Sequence, residues 1–492
     1  MKGFFAFAAA LFATSSGYCA PAFNYESAVS SASLAPEHIE PYDGGSAWRL
    51  YYSSGTYPYG GWQIYSATST DMANWGMESG VRISTSGIGG ANVLGGFGMY
   101  YDPSPSLGNY HYRGFLAAAN TTLPTTGYYL LSARSTDQIN WEMVSTAAVS
   151  AAYMNSPRPL LRSDGSLLLL YITDSGGAGN PSDYRIYYST SGDHGVSFGA
   201  AAQLKDDNAF AVYISTLTGG RVRLYYSAPY TSTGTAPCAI SSYISSSGGF
   251  YFSKETGVLL STTTSTSQFA DFAVARSSEV YSWRLLAGVK TGATNYIASA
   301  LSDAPYAVSV SPNVVYYTDS SRDLTLSGEV FSQTISTITV SNGSYSIYVA
   351  SVTRNSDISA AFTVQPASAP LGSYTVTIIN DNGKQSALAN ALIVDYPPGT
   401  ETITDNLFRP LRGETCKFDV AVYNPGRLTL RAYTINGQPV KKIYDADIAS
   451  GVQPAIIWNG DTDAGNKAAS GLYFVTVKGP KLDKLEKVVI VK

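Results

Sequence analysis

Charge is scarce in this chain: Asp, Glu, Lys and Arg make up 13% of 492 residues, about half the share usual in globular proteins. Lys and Arg total 31 against 35 Asp and Glu, and so even a balance gives no pull toward nucleic-acid phosphates. Cysteine is nearly absent. Cys19, Cys238 and Cys416 cannot build a disulfide framework or a Cys-x-x-Cys metal pair. The three histidines, His38, His111 and His194, show no metal-ligand spacing. A phosphate-cradling loop and a G-x-S-x-G elbow are missing too. Gly87 to Asn92 approaches a dinucleotide fingerprint but opens no helix pattern, so it reads as a loop. No cofactor or metal is therefore expected. Beyond the N-terminus no apolar stretch approaches the ~18 residues of a membrane-spanning helix.

What is present is hydrophobic residues at 45%, 46 Gly and 38 Tyr. Packed cores are affordable on that composition, and Gly turns with Tyr-rich pleated surfaces suit extracytoplasmic β-structure. The length calls for two to four domains. Residues 1–22 read as a secretory signal: Met1-Lys2, an apolar run from Phe4 to Ala13, then the A-x-A-like Ala20-Pro21-Ala22. Ser16-Gly17-Tyr18 ahead of Cys19 does not resemble a lipoprotein lead-in.

One pattern returns five times: an apolar strand, a Ser/Ala-rich strand, an acidic turn and an aromatic. It runs from Ile64 to Trp75, Leu130 to Trp141 and Ile186 to Phe198, then from Ile240 to Phe252 and Tyr296 to Asp303. A further strand pair precedes each copy, punctuated by Asp43-Gly44, Asp164-Gly165 or Gly219-Gly220, which is hairpin chemistry. Four-strand units at this recurrence predict a five-bladed β-propeller over residues 27–305.

Ser191-x-Asp193-x-Gly195-x-Ser197-Phe198 resembles a sialidase-type Asp-box, and Ser69 to Trp75 and Ser135 to Trp141 resemble versions one residue short. With the blades, these residues resemble the arabinanase/xylosidase-type glycoside hydrolases and their sialidase-like relatives. That resemblance implies a glycan or polysaccharide partner and, for an enzyme, two carboxylates across the glycosidic bond. In such propellers an inner strand often opens with Asp-Pro. Here Ala35-Pro36, Ser156-Pro157 and Ala211 stand at that place, and only Asp271 keeps the acid.

Candidate catalytic carboxylates are accordingly Glu37, Asp271, Asp206 and Asp207, each of which also reads as a solvated turn charge. Candidate binding residues are His38 and Glu40 on the first inner strand and Arg158 on the third. Arg158 is either an anchor for a substrate carboxylate or an ion pair with a neighbouring blade. The second-to-third-strand connections, residues 53–63, 120–128, 174–185, 228–239 and 288–296, open on one face. Tyr57, Tyr59 and Trp62 in the first and Tyr230 in the fourth offer faces for sugar stacking, or pack within their loops.

From Val308 the character changes. Ser311-Pro312-Asn313, Leu324 to Phe331, Gly372 to Thr377 and Asn380-Asp381-Asn382-Gly383 resemble an immunoglobulin-like domain of the IPT/TIG type, expected over 306–396. Residues 401–492 carry thirteen basic and ten acidic groups, unlike the acidic remainder. Asn436-Gly437, Trp458 to Gly465 and Ser470 to Phe474 resemble the Ig-like domain of flagellar hook-capping (FlgD-like) proteins. That likeness implies a surface-sorting module able to meet secretion machinery. Asp461-x-Asp463-x-Gly465 lacks the closing ligands of a calcium loop and reads as a turn.

The expectation is an all-β, exported, bacterial protein: a five-bladed propeller followed by two Ig-like β-sandwich domains. Glycan binding is favoured, exo-glycosidase activity is the alternative, and a structural surface or adhesin role is the third. Cleavage near Ala22 should leave Phe23 at the mature N-terminus, as N-terminal sequencing of exported protein would show. Intact Met1 on that material would refute the assignment.

Overall fold

The computed structural model describes residues 22–492 except 31–33, 43–44, 57–59, 85–92, 106–107, 120–126, 152, 175–180, 218–219, 228–237, 246–250, 256–257, 263–266, 277–281 and 292–293. The signal, Tyr57, Tyr59, Tyr230, the Gly87–Asn92 loop, the Asp43-Gly44 turn and most of the second-to-third-strand connections lie outside the described residues. The chain is all-β. Among the described residues no helix is long and apolar enough to cross a membrane.

Five antiparallel sheets lie between residues 24 and 302, four of them with their strands in sequence order and the fifth completed by the N-terminal strand. Their first strands are Leu34–Tyr42, Val93–Tyr101, Met154–Leu161, Ala211–Thr216 and Ser267–Arg276. Each packs against the next, and the fifth packs against the first. A ring of five strands with sheets radiating from it is a five-bladed propeller. The second strand of blade three, Leu167–Asp174, is buried at every residue. Blades cover both of its faces, which explains the unbroken run Leu-Leu-Leu-Leu-Tyr.

The ring is closed by the N-terminus. Asn24–Ser30 is the outer strand of blade five, pairing antiparallel with Thr294–Ser302. The propeller thus begins at Asn24, ahead of the expected residue 27. Phe23 is buried before it, and its N–H donates to the Leu259 carbonyl at 2.9 Å.

Inner strands one, two, three and five each carry one extra residue near their start. Register slips between Pro36 and His38, Leu94 and Phe97, Asn155 and Arg158, and Phe269 and Phe272. Blade four is regular. Such bulges bend a strand and re-aim its side chains. Those caught in the slips are Glu37, Gly95-Gly96, Ser156-Pro157 and Ala270-Asp271.

Beyond the propeller, strands from Tyr306 to Asp395 form one eight-stranded path around a core that includes Leu324, Leu326, Phe362, Tyr374 and Val376. Residues 400–490 form a four-stranded and a five-stranded sheet over a core with Phe408, Phe418 and Trp458. Their strands alternate, as Cys416–Val422 does between buried and half-buried positions, because only one sheet face meets a core. Glu329 joins the first of these units to the propeller through Arg221 at 3.0 Å and Arg223 at 2.9 Å. Arg276 meets Asp357 at 2.6 Å in the same junction.

Blades two and three meet with almost no clearance. A Cβ on Gly98 would lie 2.1 Å from the Pro157 carbonyl oxygen, so Gly98→Ala should force the inner strands apart at a cost of about 1–3 kcal/mol. Gly192→Ala, with nothing within 4 Å, is the neutral control. Thermal melts of the two variants check this expectation.

Candidate functional site

Three of the bulges bring side chains to the axis. Glu37 and Asp271 are 3% and 4% exposed, and Arg158, two residues beyond Ser156, is buried as well. Arg158 Nη2 donates to Asp271 Oδ1 at 2.9 Å and Nη1 to the Phe97 carbonyl at 2.6 Å. Its Nε donates to the Val212 carbonyl at 3.0 Å, and its guanidinium carbon lies 5.3 Å from the Tyr213 ring centroid. The Ser156 hydroxyl donates to Asp271 Oδ2 at 3.2 Å, and the Phe272 N–H to Oδ1 at 2.8 Å. Glu37 Oε2 accepts the Phe97 N–H at 3.0 Å, and its carboxyl is close enough to Asp271 for the two charges to repel. All five blades are represented in one network.

Its electrostatics follow from burial. Desolvation and then the Asp271 charge push Glu37 up to about 8, against the pull of Arg158, Ser53 and the Phe97 amide. Burial also raises Asp271, opposed first by Arg158. A buried carboxyl kept protonated beside the Arg158–Asp271 ion pair adds no uncompensated charge to the axis.

Arg158 is therefore an inter-blade ion pair with its guanidinium already engaged. His38 is buried between Tyr51 and Tyr213, at ring-centroid distances of 6.5 and 6.0 Å, and its Nε2 lies 3.1 Å from Glu40 Oε2. Burial lowers its pKa, and its Nδ1 has no partner. Asp206 meets Arg185 at 3.1 Å, while Asp207 accepts from Tyr226, Tyr243 and Lys254. Neither aspartate shares a partner with Glu37 or Asp271. Trp62 belongs to the strand Gly60–Ser69, and its side chain lies outside those described.

Sequence reasoning missed an aromatic group at the end of the propeller where third strands begin. Tyr153 and Tyr184 stack with centroids 4.1 Å apart and planes at 4°, Tyr128 lies 5.3 Å from Tyr153, and Phe210 is 6.4 Å from Tyr184. Tyr128 and Tyr184 open third strands. The only hint was Tyr at those strand starts.

The acidic turns are plain in their chemistry. Asp71 Oδ1 accepts the N–H groups of Ala73 and Asn74, Asp137 Oδ1 those of Ile139 and Asn140, and Asp193 Oδ1 those of Val196 and Ser197. Each carboxylate caps its own hairpin. These bonds outweigh desolvation and hold Asp137 and Asp193 down at about 2. Asp461 is paired with Lys467 at 2.7 Å, and no group of three or more His, Cys, Asp or Glu among the described residues could hold a metal ion.

The raised Glu37 pKa sets a pH dependence. Between the ordinary glutamate value and about 8 the folded chain keeps a proton that the unfolded chain has released. Stability therefore falls as pH rises through that window, by up to about 1.4 kcal/mol per unit, and levels off above it. Glu37→Gln should flatten the slope. Urea titrations of the propeller transition at pH 5.5, 7 and 8.5 measure it, and equal slopes would refute the shift.

No protein-family model and no curated protein matches this chain. Among solved structures it is similar to a thermostable family-43 glycoside hydrolase at 14% identity and TM-score 0.42, covering 54% of this chain and 88% of that one. An endo-arabinase from Bacteroides thetaiotaomicron VPI-5482 gives 14% and 0.42 over 57% of this chain and 96% of that one. A GH43_1 enzyme from Xanthomonas citri, complexed with xylose, gives 13% and 0.41 over 56% and 90%. The similar structures are glycoside hydrolases, and likeness at this level assigns no activity to the chain.

Proposed function

We propose that the chain is an exported glycan-binding protein whose propeller has the frame of a glycosidase without its chemistry. The observation that carries this reading is the buried ion pair of Asp271 with Arg158 at 2.9 Å. Glycoside hydrolysis holds its two carboxyls about 5–5.5 Å apart for retention or about 6.5–9.5 Å for inversion, with the sugar or a water between them. Here Asp271 is engaged by Arg158 and Glu37 by the Phe97 amide, and both carboxyls are buried. Binding belongs to the end of the ring where second strands lead into third. Tyr128 and Tyr153 offer rings there with an apolar body and a polar tip, suited to sugars, and on the sequence Tyr57, Tyr59 and Trp62 are the candidates to join them. The C-terminal units, read as IPT/TIG-type and FlgD-like modules, display the propeller at the cell surface.

One observation favours the exo-glycosidase reading. Burial pushes Glu37 up to about 8, and a carboxylic acid kept protonated near neutral pH beside a second carboxyl suits a general acid. It requires the axial network to open on the substrate.

The two readings part on one experiment, a glycan array followed by reducing-sugar release from every hit. Binding without turnover is expected. Trp62→Ala and Tyr153→Ala should each weaken it by up to roughly tenfold, the worth of one stacked ring. Turnover abolished by Asp271→Asn would establish the enzyme. A silent array with intact surface assembly would establish the structural role.

A further inference from the structure

The blades share an ionic clamp, and one copy of it is half empty. In blade one Arg49 Nε and Nη2 grip both oxygens of Glu78 at 2.9 and 3.0 Å, and the Ser66 hydroxyl donates to the same carboxylate at 2.6 Å. Blade four repeats the geometry. Arg223 Nε and Nη2 hold Glu255 at 2.7 and 2.9 Å, with Ser242 donating at 2.6 Å. In blade five Arg284 and Ser299 meet Glu26 of the closing strand.

Register fixes the equivalent places in the other two blades. The clamp arginines pair across to the residue before the terminal serine of the third strand: Arg49 with Thr68, Arg223 with Ile244 and Arg284 with Leu301. Arg113 pairs with Arg134 in the same way, and in blade three Leu168 pairs with Thr190. The glutamate follows the turn aromatic by three residues, as Trp75 to Glu78 and Phe252 to Glu255. That position is Val144 after Trp141 in blade two and Ala201 after Phe198 in blade three. Blade three has thus lost both partners. Blade two has lost only the acid.

Arg113 is 2% exposed, and its Nε and Nη2 have no hydrogen-bond partner. These are the two nitrogens that grip a carboxylate in blades one and four. Among the described residues no acid stands within ion-pair distance of it. A guanidinium buried without a counter-charge is strongly disfavoured, and its planar edge matches a carboxylate. Val144, where the glutamate would enter, lies in the register slip between Met143 and Ser145 and is 37% exposed, so a carboxylate would reach the buried Arg113 edge past it. That edge lies near the start of the second strand, at the opposite end of the blade from the second-to-third-strand connections.

We propose that the Arg113 edge is a receptor for a carboxylate supplied from outside the chain, carried either by a small free acid or by a uronate sugar. The site is independent of glycan binding at the loop end.

Thermal melts of the full exported chain test it, in chloride-free buffer at constant ionic strength, with sodium acetate or galacturonate titrated in. The wild type should gain about 2–4 °C and saturate. Val144→Glu, which restores the carboxylate of the sister blades, should melt higher without additive and no longer respond. Arg113→Met should not respond either, and if it fails to fold, Val144→Glu decides alone. Galacturonate saturating about tenfold below acetate assigns a uronate, and equal potency assigns a small free acid. Three results would each overturn the proposal: a wild type indifferent to both, an Arg113→Met response equal to the wild type's, or a Val144→Glu melt no higher than the wild type's.

Discussion

The propeller depends on one guanidinium. Arg158 reaches the Phe97 carbonyl in blade two, Val212 in blade four and Asp271 in blade five from its own place in blade three, and Glu37 binds blade one to the Phe97 amide. A ring of radiating sheets has nothing to bury at its axis except what the inner strands aim there. In this molecule they aim charge. Breaking one partner of a buried ion pair costs about 3–5 kcal/mol, since the survivor is left uncompensated. The ion pair of Arg158 and Asp271 is thus as structural as any apolar side chain in the ring.

That geometry also explains what the sequence disclosed and what it withheld. The blades were legible because turns and aromatics recur: Asp137 before Trp141 and Asp193 before Phe198 mark equivalent hairpins even though one turn is a residue shorter. In the short turns Asn74 and Asn140 cap the second carboxylate oxygen, where the full-length turn uses Ser197. The change to alternating strands after Val308 was equally visible, because each of those strands buries one face. The bulges were not visible. One extra residue leaves hydrophobic patterning almost unaltered, yet it decides that Glu37 and Asp271 turn toward the axis. The pairing of Arg158 was open for a related reason, since its partner lies more than a hundred residues away on another blade.

The clamp repeated in the blades shows how the same parts serve different ends. Arg223 holds Glu255 within its own blade and Glu329 from the following unit. Val330, next to that glutamate, packs into the propeller core. An internal fastening has become a joint between units, so the orientation of the chain beyond residue 306 is tied to blade four.

Closure by Asn24–Ser30 has a kinetic side. The strand that completes blade five is the first to be made, and its partner, ending at Ser302, is the last of the ring. No shorter stretch of the chain can close the circle, and contacts of such sequence separation form late because the loop they close must be ordered first. Until residue 302 is free to pair, the ring is an open arc with an unpaired edge at each end. Every partial product of synthesis is therefore a chain still able to be drawn out as a thread.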